Sequence, residues 1–155
     1  MLRLGLALAA VIVIADRLAK WWAIEALVDE PYGVEILPVF NLILVWNQGI
    51  SFGMLGGGAV PPWLLSVVGL AISLVLVLWL RKVETRLLAA AIGLVIGGAL
   101  GNVIDRFRYG AVVDFLDLHW DDFHWPAFNL ADAAISVGVV VLLMDALLIG
   151  RERHK

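Results

Sequence analysis

The chain lacks cysteine altogether and has few histidines and few charged residues. None of its 155 residues is cysteine, three are histidine, and 16% are charged. The absence of cysteine excludes a disulfide framework, thiolate catalysis and a cysteine-ligated metal. Any chemistry in this chain must therefore come from a small number of carboxylates, amides and amines.

Apolar residues dominate what remains. The chain is 63% hydrophobic, with a mean hydropathy of +0.97, so most of its surface must face lipid. A helix needs about 20 apolar residues to cross the hydrocarbon core. Four stretches are long enough, at residues 4–24, 63–80, 87–104 and 130–149. They predict an α-helical integral membrane protein with four transmembrane helices, and residues 1–155 leave no room for a second domain.

The charged residues predict the orientation of these helices. The positive residues at one set of helix ends are Arg3, Arg81, Lys82, Arg86, Arg151, Arg153 and Lys155. The opposite loops are acidic and contain Glu25, Asp29, Glu30, Glu35, Asp117, Asp121 and Asp122. Because positive residues favour the cytoplasmic side, both termini are expected there, and loops 25–62 and 105–129 are expected to face outward.

The two outer loops have the composition of strands. Residues 34–45 are rich in Val, Ile and Leu and are interrupted by proline, which predicts a short strand or hairpin. Residues 112–118 partly alternate and could pair with it, which gives a small extracytoplasmic β platform. Residues 51–55 are expected to form a helical turn. An interfacial aromatic belt is predicted for Trp21, Trp22, Trp46, Trp63, Trp120 and Trp125.

The unusual polar residues fall on this same outer side. They come from four distant segments, namely Asp16 with Lys20, Asn47 with Gln48 and Ser51, Asn102 with Asp105 and Arg106, and Asn129 with Asp132. Asp114 and Asp132 adjoin strongly apolar segments, where a carboxylate costs roughly 3 kcal/mol or more. Their convergence at one membrane depth predicts a functional site, and the two aspartates suggest an acid–base pair.

Structural interpretations stand beside the functional ones. Asp16 and Lys20, at i and i+4, can form an interfacial ion pair from which the lysine extends toward water, or can support a site. A solvated helix end is favoured for residues 105–108 on spacing alone. The glycines at 93, 97 and 101 predict close helix packing.

The histidines raise the question of a metal site. His119 and His124 flank Asp121 and Asp122, but their i, i+5 spacing does not place both imidazoles on one face of a helix. A solvated acidic loop is therefore favoured, and neither a metal nor another cofactor is expected.

Five blocks of this sequence resemble, in order, those of the lipoprotein signal peptidases, the signal peptidase II family of bacterial intramembrane aspartic proteases. They are DRLAK at 16–20, NQGISFG at 47–53, GGALGNVIDR at 97–106, GAVVDF at 110–115 and FNLAD at 128–132. The family usually has Ser or Thr before the lysine of the first block, where this chain has Ala19. That difference puts one supporting hydrogen bond in doubt.

The resemblance implies an aspartic endopeptidase that cleaves diacylglyceryl-modified prolipoproteins before the lipidated cysteine. Asp114 and Asp132 would form the catalytic dyad, in which two close carboxylates share a proton and activate water. The resemblance also assigns supporting or substrate-contacting positions to Asp16, Lys20, Asn47, Gly98, Asn102, Arg106, Asn129 and Ala131. The expected partners are prolipoproteins, membrane lipid and globomycin-type inhibitors, without nucleic acid.

The resemblance further implies a monomeric enzyme of the bacterial cytoplasmic membrane with its site toward the extracytoplasmic side. The competing interpretation is a small proton- or cation-coupled transporter, since intramembrane carboxylates also serve such relays. A transporter predicts acidic residues at several membrane depths and internal repeats. Here the acidic residues cluster on one side, and the sequence shows no repeat.

Overall fold

Four long helices and a small sheet make up the part of the chain that the computed structural model describes, residues 1–49 and 61–152. The helices are α1 (Leu2–Leu27), α2 (Pro62–Leu80), α3 (Arg86–Tyr109) and α4 (Leu130–Glu152). The strands are β1 (Val34–Leu37), β2 (Phe40–Asn47), β3 (Val112–Trp120) and β4 (Phe123–His124). The predicted helical turn at 51–55 lies outside the described residues.

Helix α3 lies at the centre and packs against each of the other three helices. Within the apolar spans, 61% of the α3 residues are buried, against 17% in α2 and 22% in α4. Small residues make this possible. A Cβ atom at Gly97 would lie 2.8 Å from the Ala9 carbonyl oxygen on α1, and one at Gly98 would clash with the Ala131 carbonyl oxygen on α4. The predicted close packing is confirmed, and it involves two faces of α3.

Three of the helices are long and apolar enough to cross a membrane, at Trp63–Leu80, Arg86–Tyr109 and Leu130–Leu147. Helix α1 has 26 residues, which is long enough, but it contains Asp16, Arg17 and Lys20. Its role as a fourth span therefore stays a prediction at this point.

The end of α3 differs from the predicted boundary. The sequence ended the span at residue 104 and favoured a solvated helix end for residues 105–108, whereas the helix continues to Tyr109 and holds Asp105 and Arg106 in its last turns. The helix ends instead at Gly110, whose φ of 70° is left-handed and whose backbone N–H donates to the Arg106 carbonyl. No residue before Gly110 interrupts the helix, so the loop begins several residues later.

The strands form one antiparallel sheet in the order β1-β2-β3-β4. The predicted hairpin and its pairing with residues 112–118 are confirmed. The β2–β3 register places Val45 opposite Asp114 and shifts between Leu42 and Val45. On the other side of β3, the N–H groups of Phe115 and Leu116 both donate to the Phe128 carbonyl, at 3.1 and 2.9 Å. Such irregularities re-aim side chains and are frequent beside active sites.

An apolar cluster joins the sheet to one end of the helices. Ala23 and Leu27 of α1 are buried with Phe115 of β3, and Leu42 and Leu44 of β2 pack against them. All six tryptophans assigned to the aromatic belt are exposed, namely Trp21, Trp22, Trp46, Trp63, Trp120 and Trp125. The apolar cluster therefore holds the sheet against the helix ends, near the polar residues.

Replacing Gly98 tests the packing of α3 against α4. In Gly98→Val the new side chain meets the backbone of Ala131, which cannot move without shifting α4. Overpacking of this kind costs about 1–3 kcal/mol, so the unfolding temperature in detergent should fall. Ala71→Val on the exposed face of α2 is the matched control and should leave it unchanged. Equal stability of the two variants would contradict this packing.

Candidate active site

Asp114 lies at the start of β3, directly after the chain leaves α3. Gly110 reverses the chain, and the buried Val112 and Val113 then fix the strand against the helices. The Asp114 side chain is 1% exposed. Its two oxygens accept from different amides, Oδ2 from Asn47 Nδ2 at 2.9 Å and Oδ1 from Asn129 Nδ2 at 2.6 Å. A buried carboxylate held on both oxygens has a defined orientation.

The loop after β2 sets the orientation of the Asn47 amide. Asn47 Oδ1 accepts from the backbone N–H of Gly49 at 2.9 Å, so its NH₂ group is turned toward Asp114. Arg106 Nη2 donates to the Gly49 carbonyl at 3.0 Å and ties this loop to α3. Arg106 therefore acts on the site through the backbone of the loop.

Asp132 is fixed by the start of α4. The backbone N–H of Asp132 donates to Asn129 Oδ1 at 3.0 Å, and the backbone N–H of Asn129 donates to Asp132 Oδ2 at 3.3 Å. This reciprocal pair is an Asn/Asp version of the capping box, which satisfies two N–H groups that a helix start leaves free. The other oxygen, Asp132 Oδ1, accepts from Asn102 Nδ2 at 2.8 Å.

One residue, Asn129, connects the two aspartates through its side chain and its backbone N–H. Asn129 is fully buried, and its Nδ2 donates to Asp114 as well as to Asn102 Oδ1 at 3.3 Å. The same residue caps α4 together with Asp132. The structure thus brings together two carboxylates that are 18 residues apart in the sequence numbering.

Lys20 supplies the buried cation of the site. Its Nζ lies 2.8 Å from Asp16 Oδ2, 2.7 Å from Asp105 Oδ2 and 2.9 Å from Asn102 Oδ1. These three acceptors match the three donors of an ammonium group. The pairing with Asp16 is present, and of the two arrangements left open by the spacing, extension of Lys20 toward water does not occur, because its side chain is 1% exposed.

Asp105 was wrongly assigned to a solvated helix end. It is fully buried, pairs with Lys20 and Arg17, and accepts from the backbone N–H of Val113 at 3.2 Å. Asp105 thus ties α1 and α3 to the residue before Asp114. Sequence reasoning missed Arg17, whose partner is far away along the chain. The surplus of carboxylates over cations among the predicted site residues was the available signal.

Asp16 and the small residues around it complete the support. Asp16 Oδ1 accepts from the backbone N–H of Ala131 at 3.1 Å, next to Asp132. A Cβ atom at Gly101 would lie 2.7 Å from Asp16 Oδ2, so glycine leaves room for the carboxylate. Ala19, which lacks the expected hydroxyl, packs against the apolar cluster beneath the sheet.

The charges of this cluster do not balance without a proton. Asp16, Asp105, Asp114 and Asp132 face the three cations Arg17, Lys20 and Arg106. Burial is the main cause that raises the pKa of Asp114 to about 7; the charge of Asp132 acts in the same direction, and the hydrogen bonds from Asn47 and Asn129 and the charge of Lys20 act against it. A buried net charge is costly. One proton on the aspartate pair at neutral pH leaves the cluster neutral.

Asp114 lines a cavity of about 650 Å³ beside the sheet, together with Ile43 and Val45 of β2. The cavity walls also include Asn47, Asp117 and His124. Asp117 is buried and accepts from Asn41 Nδ2 at 3.0 Å, and His124 Nδ1 lies 2.9 Å from it. The cavity therefore has a second polar group beside the aspartate pair.

The two histidines are close together, which the helix-based spacing argument did not anticipate. His119 and His124 pair across the β3–β4 hairpin, and their rings stack at 4.9 Å between centroids. Within residues 1–49 and 61–152, no three histidine or acidic side chains are grouped to hold a metal ion.

The chemistry that the site geometry allows therefore rests on the two carboxylates of Asp114 and Asp132, which can accept and donate a proton.

Replacing Lys20 tests the buried charge network. Lys20→Met leaves Asp16 and Asp105 without their shared cation, and removing one partner of a buried pair costs about 3–5 kcal/mol. The unfolding temperature in detergent should fall strongly. Lys82→Met replaces an exposed lysine after α2 and should leave it unchanged. A Lys20→Met protein as stable as the Lys82→Met protein would argue against the network.

Comparison with known proteins identifies the family. The family model described as signal peptidase (SPase) II matches residues 8–148. A bacterial membrane enzyme solved by the in meso method at 2.3 Å resolution is similar, with a TM-score of 0.81 and 30% identity, over 97% of this chain and 91% of that one.

Two relatives support the same assignment. The lipoprotein signal peptidase of Polynucleobacter necessarius is 44% identical over 92% of this chain and 88% of that protein. The lipoprotein signal peptidase of Shewanella halifaxensis is 42% identical over 93% of this chain and 86% of that protein. These likenesses favour a peptidase and give no support to a transporter. With the family model matching nearly the whole chain, the protein belongs to the signal peptidase II family.

Proposed function

We propose that this protein is an aspartic endopeptidase that removes signal peptides from diacylglyceryl-modified bacterial prolipoproteins, cutting before the lipidated cysteine. The observation that carries this proposal is the buried pair Asp114 and Asp132 at the wall of a cavity: Asn129 donates to Asp114 from its side chain and to Asp132 from its backbone N–H. Membership of the signal peptidase II family supplies the reaction class.

The aspartate pair acts as general base and general acid. The ionised carboxylate takes a proton from water, and the resulting hydroxide adds to the scissile carbonyl carbon. The protonated carboxyl group donates a hydrogen bond to the carbonyl oxygen, and a proton from the pair reaches the amine as the C–N bond breaks. Because the protons belong to the coupled pair, their titration describes the dyad as a whole.

The remaining polar residues hold the pair in position. Asn47 and Asn102 each donate to one aspartate, and Asn129 bonds to both. Lys20 fixes the Asn102 carbonyl and so directs its NH₂ group to Asp132. Preorganised donors of this kind need no rearrangement during the reaction. Asp16, with Gly98 and Ala131, sets the start of α4 against α1 and α3.

Helix α1 is proposed as the fourth transmembrane helix. Its 26 residues extend roughly 39 Å, more than the thickness of a hydrocarbon core. Asp16 and Lys20 are buried against the other helices, while Val11, Ile14 and Leu18 are exposed. The charges that lower its hydropathy are thus directed away from lipid, as the cost of intramembrane charge requires.

The proposal includes the topology and partners that the distribution of charge and the resemblance to the family imply. Residues 1–155 form a single domain in the bacterial cytoplasmic membrane, with both termini in the cytoplasm and the sheet and dyad on the extracytoplasmic side. The protein acts as a monomer. The cavity beside Asp114 takes the substrate peptide, and globomycin-type inhibitors compete for it.

Removing either carboxylate should abolish cleavage. Asp114→Asn and Asp132→Asn each retain the shape of the side chain but cannot share the proton, so kcat should fall at least about 10³-fold. The measurement is cleavage of a diacylglyceryl-modified prolipoprotein by purified protein in vesicles.

Asp121→Asn, in the exposed β3–β4 turn, is the control and should cleave at the wild-type rate. Unfolding temperatures of the three variants separate lost chemistry from lost fold. A wild-type rate in either dyad variant would refute the assignment.

The pH dependence tests the role of Asn47. The active dyad holds one proton, so kcat/KM should fall as the pH rises through the pKa of Asp114, about 7. The Asn47 bond stabilises the ionised form, so Asn47→Leu should raise this pKa and move the alkaline limb to higher pH.

Asn41→Leu is the matched control, because Asn41 lies on the same strand and donates instead to Asp117. Its alkaline limb should coincide with that of the wild type. A limb that stays in place in Asn47→Leu, or moves to lower pH, would contradict the assigned role.

A further inference from the structure

A second, apolar groove adjoins the other aspartate of the pair. It has a volume of about 280 Å³ and lies between the platform and the first turns of α4; its lining residues are Leu118, Trp125, Phe128, Asp132, Ala133, Ser136 and Val137. Of these seven only Asp132 is charged, and it is 5% exposed; Ser136 is the one other polar residue. We call this feature the α4 groove.

The two openings beside the dyad differ in polarity. Asp114 faces the cavity that also holds Asn47, Asp117 and His124, whereas Asp132 lines a groove whose other side chains are aliphatic or aromatic apart from Ser136. An apolar chain that lies in the α4 groove would end beside the Asp132 carboxylate, which is one of the two proposed reacting groups. The substrate of the proposed reaction has this form, because its cysteine carries a diacylglyceryl group next to the scissile bond.

The α4 groove is continuous with the surface that faces lipid. Val137 at its lower end is exposed, as are Val140 and Met144 further along the same helix. A chain in the groove can therefore continue into the hydrocarbon core without passing through water. The volume is near the lower limit for ligand pockets, about 300 Å³. It suits the first part of one chain and leaves the rest in lipid.

We propose, building on the function above, that the α4 groove binds one acyl chain of the diacylglyceryl-cysteine and so aligns the scissile bond with Asp132. Because the chain comes from lipid, which is as apolar as the groove, its burial adds little affinity. The groove acts by orientation, and small misplacements of a reacting group are costly. Blocking it should lower kcat/KM while leaving the fold intact.

Filling the α4 groove with a larger side chain tests this proposal. Val137→Trp should reduce kcat/KM for a substrate with long acyl chains about tenfold, by displacing the reacting bond. Val139→Trp is the matched control, since Val139 is also an exposed valine of α4 but lies about 200° around the helix from Val137, away from the groove. It should cleave at the wild-type rate. A substrate with very short acyl chains should be cleaved equally by all three proteins.

Equal losses of kcat/KM in Val137→Trp and Val139→Trp, or an unchanged rate for the long-chain substrate in Val137→Trp, would overturn the proposal. Unfolding temperatures in detergent identify any loss of fold. If the wild-type protein cleaves none of the lipidated substrates, the proposed function is refuted. The occupant of the α4 groove is then tested by photolabelling alone.

Photolabelling identifies what binds in the α4 groove without requiring that the substrate be cleaved. A diacylglyceryl-cysteine peptide with a diazirine in its acyl chain, bound to Asp114→Asn, should label the first turns of α4 and Trp125. Labelling confined to other helices would overturn the assignment. So would equal labelling by a diazirine phospholipid, or labelling of the groove only when the diazirine stands on the residue before the cysteine.

Discussion

The ammonium group of Lys20 is the interaction on which the rest of the site depends. Its three donors are all used within the protein, by Asp16, Asp105 and Asn102. Through Asp16 it reaches the start of α4, and through Asp105 it reaches β3. A buried charge is stable only when such partners surround it. The same contacts that offset its burial therefore place the two aspartates relative to each other.

The sheet and the helices contribute different kinds of constraint. The helices approach closely because glycines on α3 remove side chains from the contacts with α1 and α4. The sheet carries Asp114 at a position where its backbone pairs on both sides, with β2 and with Phe128 nearby. Amides then connect the two parts, and Asn129 belongs to both. Rigid elements with an amide network between them suit a reaction that needs a fixed pair of carboxylates.

The sequence predicted the helices and the hairpin because their apolar patterns are long and regular. The topology predicted from the sequence also placed Asp114, Asp132 and their amides on the same side of the membrane. The sequence could not predict that Lys20 points inward, because i, i+4 spacing is equally compatible with a surface pair. Nor could it identify the Arg17–Asp105 pair, since that contact depends on how α1 packs against α3. Local pattern defines elements, whereas tertiary packing decides which polar groups they bury.

The shared cap of α4 has a consequence for biogenesis. Asn129 and Asp132 begin α4, the last of the four helices to be synthesised, and each holds the other in place only when that helix has formed. Asp114, in contrast, is already present on the preceding strand. The proposed catalytic pair is thus incomplete until α4 has formed and packed on α3. A chain whose fourth helix has not yet been made holds one of the two carboxylates without its partner.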